Sequence, residues 1–322
     1  MITRSFLGAV GVALGFALGA GAGLAQTYPS RPVRLIVPVP AGTATDLAAR
    51  TLGQQMSVAL GQPFIIDNKA GANSVIGVMD LLRAPPDGYT LLFAAGSPLA
   101  ANVALVKNIP YDPRRDFTPV GGFGETMHVL MVKSTYPVRT LPDLIAHMKK
   151  NPGKVSVGSS TASTRVQIAT FSKLAGVDLL MVPYKGVPAT INDIMGGTLD
   201  MTWVDLTNAI AQAKGGKMIP LAVTSAKRNA LVPDWPTVAE SLPGFDFTAW
   251  LAVVGPSGMP RDVVDRLNAA IGQVLQQPEA KEKLAGMGMT PMPMSSDQLR
   301  VLMTSDTTNW IRLAKQANVE PE

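Results

Sequence analysis

A short apolar strand that breaks into small residues and then opens a helix occupies residues 34–50, Arg-Leu-Ile-Val-Pro-Val-Pro-Ala-Gly-Thr-Ala-Thr-Asp-Leu-Ala-Ala-Arg. Ala48, Leu52, Met56, Ala59 and Leu60 recur at helical spacing, Arg50, Gln54 and Gln55 fall on other faces, and Gly61 supplies the stop. A strand that feeds a helix commits the chain to α/β layering, and the pattern repeats. Residues 64–67 read as a strand, the segment after Gly71 as a helix to Arg83, and residues 89–94 as a strand after the turn Pro86-Asp87-Gly88. Such alternation implies parallel strands joined by right-handed crossovers. Further helices start at Thr140, with a stop at Asn151-Pro152-Gly153, and near Pro188, with a stop at Gly196-Gly197. Another opens at Pro260 with Val263, Leu267, Ile271, Val274 and Leu275 on one face, and Ser295 with Gln298 forms a capping box for the last helix.

Residues 1–25 have the layout of a secretory leader: one early cation, Arg4, an apolar run over residues 6–22, and the small-x-small site Gly23-Leu24-Ala25 before Gln26. The run approaches bilayer-spanning length, but Gly and Ala dominate it and no basic stop-transfer cluster follows. With no cysteine in the chain, neither a lipid-modified cysteine nor a disulfide is possible, so stability rests on core packing. The expectation is an exported, freely diffusing protein. Nearly 300 residues beyond the leader exceed one compact core of this kind and point to two lobes.

Without Arg4 of the leader, the 28 Lys and Arg fall to 27 against 23 acids, a net charge of +4. The cations are scattered, with pairs such as Arg114-Arg115 and Lys149-Lys150 as the longest runs, and aromatics make up 6% of residues. Nucleic-acid binding needs a clustered stripe with stacking rings, so the small positive field is read as mild steering of anionic solutes. Enzymatic signatures are also missing. There are two histidines, His128 and His147, no cysteine nucleophile, and no Gly-x-Ser-x-Gly, His-Glu-x-x-His or Gly-x-x-x-x-Gly-Lys-Ser/Thr motif. A metal site would need more ligands at matching spacing, so no metal and no cofactor is expected. A carboxylate-based hydrolase or isomerase would have to rest on Asp46 and Asp205.

The first turn of the helix after residue 43 leaves unpaired N–H groups facing the preceding loop. With the positive end of the helix dipole they favour a carboxylate or phosphate by roughly 0.3–1 kcal/mol at an exposed site. Thr45 or Asp46 equally suits a plain helix cap.

Longer stretches carry a family likeness. They are Tyr28-Pro29-Ser30-Arg31-Pro32, Ala41-Gly42 with Asp46, Asp67-Asn68-Lys69-Ala70-Gly71-Ala72, Pro86-Asp87-Gly88-Tyr89-Thr90, Pro110-Tyr111-Asp112-Pro113, Pro183-Tyr184-Lys185-Gly186, Pro236-Thr237-Val238-Ala239-Glu240 and Gly255-Pro256-Ser257-Gly258. In this order the chain resembles the periplasmic solute-binding proteins of tripartite tricarboxylate transporters, the Bug or TctC-like family. The resemblance implies an α/β, two-lobed periplasmic binding protein of type 2, a Venus flytrap with two crossing segments, for which residues 128–132 and 249–254 are the candidates. Residues 27–127 plus 250–322 would form lobe one and residues 128–249 lobe two, with the ligand in the cleft between them. It also implies a periplasmic monomer that takes a small organic carboxylate and hands it to membrane permease subunits, without chemistry. A receptor that presents solute to a membrane sensor kinase would use the same cleft and differ only in partner.

The ligand-binding role passes by resemblance to the loop bearing Ala41, Gly42, Thr43 and Asp46, where Thr43 replaces a usual glycine. In lobe two its counterpart is the hydroxyl-rich segment with Ser159, Ser160, Thr161, Ser163, Thr164 and Arg165, where Thr161 and Ser163 replace glycines and Gln167 stands where a histidine is frequent. The Arg165 guanidinium suits a bidentate carboxylate clamp or a solvated first-turn position. Ser97, Lys185 and Asp205 complete the candidate set; each also suits a structural role, as a turn residue or as a paired carboxylate. Trp203 and Trp250 read as core or hinge packing, with a floor for an aromatic ligand as the alternative.

Overall fold

The computed structural model describes residues 28–184 and 186–321. The leader assigned to residues 1–25 and the candidate Lys185 therefore lie outside the described residues. The first half of the chain gives β1 (Val33–Val37), α1 (Ala44–Leu60), β2 (Phe64–Asn68), α2 (Val75–Leu82), β3 (Thr90–Ala95), α3 (Asn102–Leu105) and β4 (Phe117–Lys133). Next come α4 (Leu141–Lys150), β5 (Ser156–Ser159), α5 (Ala162–Ala175), β6 (Leu180–Pro183), α6 (Val187–Gly196), β7 (Met201–Asp205), α7 (Leu206–Lys214) and β8 (Met218–Val223). The chain closes with α8 (Val238–Ser241), β9 (Thr248–Pro256), α9 (Arg261–Gln276), α10 (Pro278–Gly286), β10 (Thr290–Met294) and α11 (Ser296–Gln316).

Local signals explain most helix bounds. Thr140 accepts from the Asp143 N–H at the start of α4, and the Ser295–Gln298 capping box opens α11 as expected. At α1 the cap differs from the sequence reading: Thr43, not Thr45 or Asp46, accepts the Asp46 N–H. Thr43 takes the role because its backbone is extended while Asp46 sits at the third helical position and turns its carboxylate inward. The helix expected directly after Gly71 also starts late. Ala72, Asn73 and Ser74 adopt left-handed φ of 47°, 51° and 75° before α2 begins. Tertiary contacts hold this costly turn: Ser74 Oγ donates to the Pro38 carbonyl, and the buried Asn102 Nδ2 donates to the Asn73 carbonyl.

The strands order as β2-β1-β3-β9-β4-β7-β5-β6, with β8 and β10 also pairing β4. β1 pairs in parallel with β2 and β3, and β5 in parallel with β6 and β7, as the alternation requires. β4 joins the two groups and is antiparallel to every neighbour. Its residues from Phe117 to Met127 pair with β9, and those from His128 to Val132 pair with β7. The register brings the carboxyl ends of both parallel groups to the middle of β4. Ala95 of β3 pairs Leu251, which pairs Gly124, while Asp205 of β7 pairs His128.

Each group of strands is covered on both faces. On the first, α1 and α9 bury Leu52, Met56, Leu267 and Ile271, and the opposite face buries Val78, Leu81 and Met303. On the second, Phe171 and Trp203 fill one face and Ile194 with Val204 the other. Two segments pack across the division: Ala101 and Leu105, and the Leu313 and Ala314 end of α11, join the second group's core. The α/β layering expected from the alternation is thus present, as two groups of strands that share β4.

Candidate functional site

Two helix starts face the region where the strand ends converge. At α1, Thr43 Oγ1 takes the Asp46 N–H, and Asp46 Oδ2 in turn accepts the Gly42 N–H at 2.8 Å and Arg50 Nε at 2.9 Å. Its other oxygen accepts Asn68 Nδ2 at 2.9 Å. The carboxylate is 1% exposed. Burial disfavours its ionised form, but Arg50, the Gly42 N–H and Asn68 outweigh this and hold the pKa below the ordinary carboxylate value. Asp46 thus braces the loop from inside, while Ala41 and Gly42 are exposed and Thr43 half-exposed. The N–H groups of Ala44 and Thr45 meet no acceptor among the described residues.

At α5 the same job falls to an uncharged residue. Thr161 Oγ1 accepts the Thr164 N–H, and Thr164 Oγ1 accepts the N–H groups of Ser160 and Thr161 at 3.2 and 3.0 Å. Ser159 is buried against the same hydroxyl at 3.2 Å. Here too the first two helical N–H groups, of Ala162 and Ser163, meet no acceptor among the described residues.

Between the two groups of strands lies a cavity of about 60 Å³, lined among others by Ser97, Ser163, Gln167, His128, Trp250 and Asp306. Of the candidate residues, the structure brings Ser97 and Ser163 together here. The loop of Ala41, Gly42, Thr43 and Asp46 does not line it, nor do Ser159, Ser160, Thr161, Thr164 and Arg165. Arg165 is half-exposed on the first turn of α5. Asp205 caps α7, with Oδ1 accepting the Asn208 N–H and Oδ2 the Asn208 side chain at 2.7 Å.

Of the cavity's other walls, Trp250, Gln167 and His128 stand out in the sequence without a settled role, and Asp306 does not stand out at all. Trp250 lies so close to Gly96 that a Cβ there would sit 2.8 Å from the indole, which explains a glycine at that position. Trp250 Nε1 donates to Asp306 of α11 at 2.9 Å. Burial pushes the Asp306 pKa up, against the indole N–H bonds of Trp250 and Trp310. His128 is half-buried, and desolvation pushes its pKa down despite Asp205 and Gln167 nearby. Gln167 Nε2 lies 3.1 Å from His128 Nδ1. Trp203, by contrast, is core: it stacks on Phe245 at 5.8 Å and is 1% exposed. Among the described residues no group of three or more acidic, histidine or cysteine side chains is arranged to hold a metal, and no helix is long and apolar enough to cross a membrane.

Comparison with known proteins gives one answer. Residues 48–319 match the model of the tripartite tricarboxylate transporter family receptor. Protein BugT of Bordetella pertussis is 32% identical over 300 residues, covering 92% of each chain. Rpa4515 of R. palustris, solved with adipate, superposes with a TM-score of 0.78 at 30% identity, over 92% of this chain and all of that one. MatC of Rhodopseudomonas palustris, with bound malate, gives 0.72 at 29% identity, over 89% of this chain and 99% of that one.

Proposed function

The chain belongs to the tripartite tricarboxylate transporter receptor family and is a solute-binding receptor, not an enzyme; from this premise we propose that it captures a small organic carboxylate in the interlobe cleft and delivers it to a membrane permease. Residues 27–127 with 250–322 act as one lobe and residues 128–249 as the other, flexing about the middle of β4. The carboxylate docks on the start of α5, against the Ala162 and Ser163 N–H groups and the Ser163 hydroxyl. Hinge closure then brings the Ala41 to Thr43 loop and the Ala44 and Thr45 N–H groups onto it, while Ser159, Ser160, Thr161 and Thr164 shape one loop and Asp46 the other. Ser97 meets the ligand from the turn after β3, Arg165 and Asp205 complete the rim, and Lys185 is a further candidate contact. A leader cut after Ala25 would release the protein into the periplasm.

The observation that carries this reading is the pair of unsatisfied N–H groups at the start of α5, a 14-residue helix whose first turn holds no acid, beside the cavity. Micromolar affinity corresponds to about 8 kcal/mol. Four charge-assisted bonds at about 2 kcal/mol each are of that order before ordering costs. The test is a thermal-shift screen of residues 26–322 against organic acids, since a ligand that binds the native state raises Tm by mass action. A selective rise with carboxylates, with the ligand recovered unchanged, is the expected outcome. A flat response to every acid, or consumption of the ligand, would defeat the proposal.

A further inference from the structure

Gln167 is 2% exposed and lines the cavity, yet its Oε1 has no hydrogen-bond partner among the described residues. Its Nε2 is fixed on the other side, 3.1 Å from His128 Nδ1 and 3.5 Å from Ser163 Oγ. With the amide nitrogen turned to His128 and Ser163, the carbonyl Oε1 is a pure acceptor in need of a donor. A buried acceptor left unmet is costly, so an orphan of this kind in a cavity wall marks a contact completed by something else. The rest of the wall narrows what that is. No Lys or Arg among the described residues lines the cavity, and its one acidic group, Asp306, already accepts the Trp250 indole. The remaining surface is apolar or hydroxylic, from Ala95, Ala101, Phe247, Thr248 and Trp310. A second carboxylate pushed into such a place would be a buried charge with no counter-charge, beside an acceptor oxygen and an acid.

We infer that the inner end of the cleft receives an uncharged hydrogen-bond donor, so that the preferred ligand is a monocarboxylate with a hydroxyl at its far end, and that Gln167 is the residue that selects it. The inference rests on the reading that the carboxylate docks at the start of α5. Ser163 stands in both places, on the first turn of α5 and in the cavity wall, which sets the two ends of the ligand close together. A cavity of about 60 Å³ suits the end of a short chain.

The test is isothermal titration of the protein with matched four-, five- and six-carbon series in which only the terminus changes: for five carbons, valerate, 5-hydroxyvalerate, glutarate and 5-aminovalerate. The hydroxy acid of the best-fitting length should bind about tenfold more tightly than the plain acid, the worth of one buried acceptor satisfied, and more tightly than the diacid. Gln167→Met, of similar length, should bring the ratio of hydroxy-acid to plain-acid affinity from about ten to about one, whatever its effect on the plain acid alone, with the ligand-free melting temperature as the folding control. A diacid or amino acid that binds as tightly as the hydroxy acid overturns the inference and leaves the carboxylate receptor standing. A preference that survives Gln167→Met overturns the assignment to Gln167. Binding by no acid at all overturns both readings together.

Discussion

The starts of α1 and α5 solve one structural problem with different chemistry. Each has a threonine cap, Thr43 or Thr161, and a residue at the third helical position that reaches back to the loop. At α1 that residue is Asp46, whose charge opposes the positive end of the helix dipole and is itself matched by Arg50. At α5 it is Thr164, which closes the same turn without charge and leaves the dipole end unopposed. On the proposed reading the lobe-one loop is therefore the stiffer wall, and the lobe-two helix start the stronger anion site. Rigidity and anion affinity are divided between the lobes.

The largest effect should come from breaking the stiffer wall. Asp46→Ala removes the acceptor for Gly42, Arg50 and Asn68 at once and should cost about 3 kcal/mol of stability, about 1 kcal/mol for each hydrogen bond lost. Urea unfolding measures it, and a loss below about 1 kcal/mol would mean that the carboxylate does not brace the loop. Thr164→Val, nearly the same shape, strips the acceptor from Ser160 and Thr161 and should cost about 2 kcal/mol. If the valine variant proves the more damaged of the two, the ranking of the walls is reversed.

These bracing roles were only partly legible in the sequence. The strand-loop-helix of residues 34–50, the caps at Thr140 and Ser295 and the parallel crossovers could be read because they depend on neighbours a few positions apart. The first ten residues of β4 could not. Pro119, Gly121, Gly122 and Gly124 argue against a strand, and only the fold explains them: a Cβ on Gly122 would sit 2.6 Å from the Met292 carbonyl of β10. Thr45 and Asp46 both read as caps for α1, and the inward turn of Asp46, fixed by tertiary contacts, left the role to Thr43. The cavity wall was the least legible, because Trp250, Asp306 and Gln167 are brought together from β9, α11 and α5 by packing that no local pattern encodes.

The anion side of the comparison can be probed one N–H at a time. Proline at a first helical position removes a donor the helix does not use, and the preceding residue is extended at both sites, as proline requires. Ala162→Pro should therefore weaken carboxylate binding about tenfold with little loss of stability, by one charge-assisted bond. Ala44→Pro, at the end whose dipole Asp46 already opposes, should weaken it about threefold. Equal losses, read by titration calorimetry, would show that the two ends share the anion evenly and that the charge of Asp46 does not matter to the ligand.

The smallest effect is a pH signature that only one of the two loops can have. Asp46 titrates and Thr164 does not. The Asp46 pKa is held below its unfolded value of about 3.9, so the folded state gives up this proton more readily than the unfolded chain does. The resulting stability is fully present above that unfolded value and is lost as pH falls through the lower, folded one. Asp112 and Glu240, each lowered to about 2 by Arg114 and Arg228, add acid sensitivity of the same sign, so the wild-type curve alone does not isolate Asp46. The difference curve does. Subtracting the urea stability of Asp46→Asn from that of the wild type should give a value flat from pH 7 to about pH 5 that declines below about pH 4. The same subtraction with Thr164→Val should stay flat throughout. A declining Thr164 curve, or a flat Asp46 curve, would mean that the charge at α1 is not what distinguishes the two helix starts.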